Sequence, residues 1–207
     1  MRLSLLLIIV LFSACSHQKL ANSSSKIIYS PRELSKAVPF VSHTQEKTPY
    51  LAMNIYYPEI NSLRLEVEKK HNLNLKNRGE AHITILTPME AETLKSYGLN
   101  MSAIDELAQL ERIQQIPFEI LCVGEGRLGD LKTYFLVVKS EALLKLRKKI
   151  LDLVLQINPT FHRRTFQPEE YFPHITLGFT ERDLHIQDGV RKDKNSCAIM
   201  LQENQVN

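Results

Sequence analysis

Two stretches decide how this chain is read: Ala81-His82-Ile83-Thr84-Ile85-Leu86 and Phe172-Pro173-His174-Ile175-Thr176-Leu177. Both are rich in β-suited residues, and both carry His-Ile-Thr followed by an aliphatic residue. Residues two apart on a strand point to the same face, so each histidine shares a face with its threonine while Ile83 or Ile175 turns to the other side. Each strand therefore offers one imidazole and one hydroxyl. That pair suits a phosphate, because the hydroxyl donates to a non-bridging oxygen and the imidazole moves a proton. A single such tripeptide in a chain with seven histidines carries little weight.

The flanking sequence gives the recurrence its force. Upstream of the first motif, Leu51 to Tyr57 reads as a strand stopped by Pro58, and Ile60, Leu63, Val67 and His71 recur at helical spacing from Glu59 to about Leu75. Upstream of the second, Phe118–Val123 and Tyr134–Val138 read as a hairpin punctuated by Gly124, Gly126 and Gly129. Glu141 to Ile157 then reads as an amphipathic helix, its Leu143, Leu144, Ile150, Leu151, Val154 and Leu155 stripe opposed by solvated Lys145, Arg147 and Lys148. The second motif strand is expected over Tyr171–Phe179. Strand, helix and His-Ile-Thr strand thus occur twice in the same order, which predicts a two-lobed α/β or α+β domain with a related sheet in each lobe. Further helices are expected near 90–97 and 102–113, with a last strand at Ala198–Leu201.

The two His-Ile-Thr motifs, within units of matching order over roughly residues 50–201, resemble the 2H phosphoesterase superfamily and possess features of its Swiss Army Knife RNA repair-like branch. The resemblance implies a duplicated, two-lobed α+β fold, with two related antiparallel sheets flanking a central cleft and helices outside. It further implies that His82 and His174 face each other as general acid and base, that Thr84 and Thr176 hold phosphate oxygens, and that no cofactor or metal is needed. The expected reaction opens 2',3'-cyclic phosphates on nucleotides or RNA ends, with RNA end joining as an alternative in this superfamily. Two imidazoles with ordinary pKa near 6.5 can divide the acid and base work. The chain has no H-E-x-x-H and no cysteine pair at zinc-ligand spacing. The plain alternative is that both histidines are satisfied by local hydrogen bonds and both threonines serve β propensity, which leaves the recurrence unexplained.

Other candidates are local. Arg163 and Arg164, in the polar loop before the second motif, are placed to grip a terminal phosphate, although adjacent arginines in such a loop are commonly solvated. Tyr171 is a candidate for stacking a base, and Phe172 has an alternative place in the core. His17, His43, His71, His162 and His185 carry no motif and read as ordinary surface or structural residues.

At 207 residues, with 26 lysines and arginines against 23 acids, the chain fits one globular domain and lacks the basic excess of a protein that coats duplex DNA. Residues 1–15 run from Met1-Arg2 through an apolar stretch to Phe12-Ser13-Ala14-Cys15, the layout of a secretory signal too short to span a bilayer. Small residues before Cys15 resemble a bacterial lipobox, with Cys15 lipidated, although Phe12 departs from the usual aliphatic residue. Plain cleavage after Ala14 wants a small residue where Phe12 stands. A monomer anchored outside the cytoplasm, at the periplasmic side or the cell surface, is therefore expected, with residues 16–48 as a polar tether and 49–207 as the domain. A surface lipoprotein that binds a phosphate-bearing ligand without turnover is the other class of function to weigh. Cys122 and Cys197 are compatible with a disulfide or with two buried thiols. A short helix capped by Ser30 with Pro31 in its first turn is also expected.

Overall fold

The two motif strands form where their alternation demands. In the computed structural model, which describes residues 26–43 and 46–204, β3 (His82–Leu86) buries Ile83 and Ile85 completely and leaves His82 and Thr84 half-buried on the opposite face. The last motif strand, His174–Phe179, repeats this with Ile175 and Leu177 buried and His174 and Thr176 half-buried. The first motif strand pairs antiparallel with β2 (Leu51–Asn54), setting Asn54 opposite His82 and Ala52 opposite Thr84. Between them runs α2 (Tyr57–His71), which buries Ile60, Leu63 and Val67 and ends at Asn72 in the left-handed conformation. Tyr57 and Pro58 open this helix rather than close the strand, since proline in a first turn has no amide to leave unpaired.

After β3 come α3 (Pro88–Ser96) and α4 (Met101–Leu110), then the hairpin β4 (Glu119–Leu128) and β5 (Leu131–Lys139). Its strands are longer than the apolar runs alone indicate. Gly129, at φ 56°, makes the tight two-residue turn with Asp130, whereas Gly124 and Gly126 lie inside β4. A Cβ on Gly126 would stand 2.3 Å from Val190 Cγ1, so these two glycines serve close packing and not chain reversal. Helix α5 (Glu141–Ile157) leads through a loop to β6 (His174–Phe179), and the chain ends in β7 (Cys197–Ile199) and β8 (Leu201–Glu203). The main sheet is antiparallel in the order β6-β5-β4-β7.

The described chain is a mixed α+β fold with five α-helices and three small sheets. The order strand, helix, motif strand occurs twice, as expected, yet the strands do not display two matched lobes. The sheet that carries the first motif has two strands and the sheet that carries the second has four. A single apolar cluster takes in Leu51 and Ile83 from one unit and Leu136, Ile175 and Leu177 from the other. The sheets are fastened where Lys76 and Phe179 exchange backbone hydrogen bonds of 2.8 and 3.0 Å, which brings β3 and β6 side by side.

The segment expected to be a tether packs on the domain over its described part. β1 (Ile27–Tyr29) pairs in parallel with β8, and Ile27, Tyr29 and Leu34 are buried in the main cluster. The short helix α1 (Pro31–Leu34) forms with Ser30 accepting from the Glu33 amide at 3.2 Å. Three strand residues are too few to show a period, so composition alone reads this stretch as polar linker. Residues 1–25, and with them the signal-like run and Cys15, lie outside the described residues. No helix among the described residues is long and apolar enough to cross a membrane.

Arg147 differs most from its expected place. It is 1% exposed on the inner face of α5, not on the solvated one. Its guanidinium donates to the Ile85 carbonyl at 2.6 Å, the Pro168 carbonyl at 3.1 Å and the Glu90 carboxylate at 2.8 Å, and it lies 4.7 Å from the Phe166 ring centre. A buried guanidinium is tolerable only with this degree of pairing. It thereby joins β3, α3 and the loop leading to the second motif.

Candidate active site

His82 and Thr84 occupy the unburied face of β3. The His82 ring is 18% exposed in its side chain, with Nδ1 3.7 Å from Glu80 Oε1 and the Tyr50 ring 5.9 Å away. His43 stacks on the far side of this group, 4.0 Å from Tyr50 and nearly parallel to it. Burial pushes the His82 imidazole below its ordinary value, with Arg78 and His43 adding to the effect and the Glu80 and Asp183 carboxylates opposing it. Thr84 is half-buried beside His82 on the same face of the strand.

His174 and Thr176 project from the face of the main sheet opposite the large core. Their cross-strand partners Val137 and Phe135 belong to a second, smaller apolar cluster with Cys122, Leu184 and Val190. His174 Nδ1 lies 2.8 Å from the Phe172 carbonyl oxygen. A carbonyl only accepts, so in the neutral ring Nδ1 carries the proton and Nε2 has the free lone pair. Burial and the charge of Lys192 push the His174 pKa down to about 3, against the Phe172 hydrogen bond and Asp183.

Asp183 is the hub beside the second motif. Its Oδ1 accepts from Thr133 at 2.7 Å and from the Lys192 ammonium at 2.8 Å, and its Oδ2 accepts from the Thr176 hydroxyl at 3.3 Å. His185 Nε2 stands 3.8 Å from the same Oδ2. Burial works to raise the Asp183 pKa, but Lys192 and the Thr133 bond outweigh it and hold the carboxyl below the usual range. The Asp183 charge acts on both His82 and His174, and the exposed Arg78 acts on His82, His185 and Lys192. The two motifs thus share one electrostatic environment.

Other expected site residues stand apart. Arg163 and Arg164 are exposed on a 3-10 turn, and nothing in the structure links their side chains to the motif strands. The Tyr171 ring is not presented for stacking: the Arg147 guanidinium lies 4.8 Å from its centre and its hydroxyl is buried without a partner. Phe172 lies just outside the strand, with Arg191 4.8 Å from its ring centre. Arg78, Asp183, His185 and Lys192 were not legible as site residues. Arg78-Gly79 reads as helix punctuation, and the other three fall in a charged stretch with no motif spacing.

Comparison with known proteins adds one positive finding. No match was found to a curated protein or to a solved structure. The family model described as "Swiss Army Knife, 2H phosphoesterase domain" matches residues 49–185, which include both His-Ile-Thr motifs, β2 through β6 and Asp183. With two histidine–threonine strands side by side and this match over most of the chain, the protein belongs to the Swiss Army Knife 2H phosphoesterase family, whose domain implies phosphoesterase activity and suggests a hydrolase.

Proposed function

We propose that the protein is a metal-independent phosphodiesterase that opens 2',3'-cyclic phosphates on nucleotides or RNA ends. The observation that carries this reading is the adjacency of β3 and β6, each presenting an imidazole and a hydroxyl on one face and both imidazoles under the influence of Asp183. His174 is assigned the base, because Nδ1 donates to the Phe172 carbonyl and the Nε2 lone pair is left free, and its depressed pKa keeps the ring unprotonated. It takes a proton from water as the water oxygen attacks phosphorus. His82, with Glu80 beside it, gives a proton to the departing ribose oxygen. Thr84 and the exposed Arg78 are available to donate to the phosphate oxygens, and Thr176 joins them when its one hydroxyl proton turns from Asp183 to the ester.

The test is a panel of 2',3'-cyclic mononucleotides and an oligonucleotide ending in a cyclic phosphate, assayed in EDTA across pH. Since both imidazoles are depressed below 6.5, His174 stays neutral far into acid, whereas the protonated fraction of His82 falls above its own lowered pKa. The kcat/KM optimum is therefore expected on the acid side of pH 6.5, with a basic limb. Turnover of no panel member would favour a non-catalytic ligand-binding role. An optimum above pH 7.5 would contradict two depressed imidazoles as the acid and base of the reaction.

We also propose that the chain is exported and anchored through a lipid on Cys15. Support comes from the signal-like residues 1–15 and from the Cys122–Cys197 disulfide, a bond that persists in oxidising compartments. Mass spectrometry of the membrane fraction is expected to find lipid-modified Cys15 as the mature N-terminus. Any other N-terminus rejects the anchor.

A further inference from the structure

Past residue 185, where the family match ends, the chain forms an arm across the site-bearing face of the main sheet. Val190 packs over Gly126 in β4, Arg182 pairs with Asp188 through both nitrogens at 2.9 and 2.6 Å, and Cys197 is bonded to Cys122. The arm delivers Lys192, whose side chain is 3% exposed, to Asp183. Its ammonium also lies 5.4 Å from the centre of the Phe135 ring, which meets the His174 ring edge-on at 6.0 Å. A lysine this buried, brought in from beyond the family domain, needs a reason.

Resting on the phosphodiesterase reading above, we infer that Lys192 is a positioning residue of the phosphate site: it cancels the charge of Asp183, which accepts the single Thr176 hydroxyl proton, so that an anionic ester can sit beside the second motif and take that proton's hydrogen bond. Asp183 presents an ionised carboxylate 3.3 Å from the hydroxyl assigned to a phosphate oxygen. Alone, that charge would repel the substrate. Replacing it by an apolar group would leave Thr133 and Thr176 without their acceptor. A buried ammonium on the other side of Asp183 keeps the acceptor and cancels its charge. Lys192, Asp183 and His185 are the charged or titratable groups that act on His174, so the same pair also sets that imidazole's protonation.

The experiment uses the full disulfide-bonded protein, with inorganic phosphate as the probe and the His174 ring titration followed by NMR. Lys192→Met is expected to weaken phosphate binding roughly tenfold or more, because an uncompensated carboxylate now faces the anion. It is also expected to raise the His174 pKa, a change that lost packing alone would not give. Lys192→Arg and the neutral pair Asp183→Asn/Lys192→Met are expected to bind phosphate within about threefold of the parent. Parental phosphate affinity in Lys192→Met overturns the inference. So does a neutral pair as impaired as Lys192→Met. If Lys192→Met does not fold, the neutral pair decides alone, and its failure to fold assigns the two residues to stability and overturns the inference. A parent protein that neither binds phosphate nor turns over a cyclic phosphate sinks the phosphodiesterase reading as well, whereas a competent parent with an unaffected Lys192→Met sinks only this one.

Discussion

Alanine at His174 or at His82 is expected to lower kcat roughly 100- to 10,000-fold, the usual worth of a positioned acid or base, while leaving the fold intact. Both rings sit on the face of their strand turned away from the large core, and the anchoring residues Ile83 and Ile175 are untouched by either change. Because the two groups act in one step, the double variant should be little worse than the weaker single one. KM should move less than kcat, since the threonines and Arg78 remain to hold the phosphate. Steady-state kinetics on a cyclic mononucleotide, with circular dichroism and thermal melts as controls, checks this. Near-parental turnover by either variant would mean that the paired histidines do not perform the chemistry.

Removal of the Cys122–Cys197 bridge is the second large effect. The bond closes a loop across a sequence separation of 75, for which chain entropy gives about 4 kcal/mol of stabilisation at 25 °C. In a domain of this size that corresponds to a loss of roughly 8 to 16 °C in Tm for Cys122→Ala/Cys197→Ala, or for the parent in reductant. The weakness of what remains supports the figure. β7 pairs with β4 at only two positions, and Cys197 itself is exposed. A shift below about 3 °C would show that the arm is held by Val190 and the Arg182–Asp188 pair without help from the bridge.

The sequence made the elements that carry a period legible and hid those that depend on a partner. α2, α5, the hairpin and both motif strands follow from alternation or helical spacing, and β3 and β6 present the face that this alternation requires. Arg147 was misplaced because a basic residue on an amphipathic helix is ordinarily solvated, and its acceptors come from β3, α3 and a distant loop. Asp183 and Lys192 were hidden for a related reason. Nothing in a charged stretch tells which members are desolvated, and their burial is created by Thr133 and Phe135 on another strand. His43 looked like linker until it stacked on Tyr50. Arg163 and Arg164 stand on an exposed 3-10 turn and Tyr171 packs against Arg147, so nearness in sequence to the second motif did not by itself place them beside His174 and Thr176.

The parallel pair formed by β1 and β8 has a consequence for how the protein comes into being. Tyr29 and its partner Glu203 are 174 positions apart, so β1 lacks its strand partner until residue 203 has emerged. Contacts of such separation form late, because the loop they close must be ordered before they return any stability. A chain emerging N-terminus first from a ribosome therefore carries β1 without its strand partner, with only α2 to pack on, until residue 203 is out. Loss of residues 201–203 would leave β1 without its strand partner.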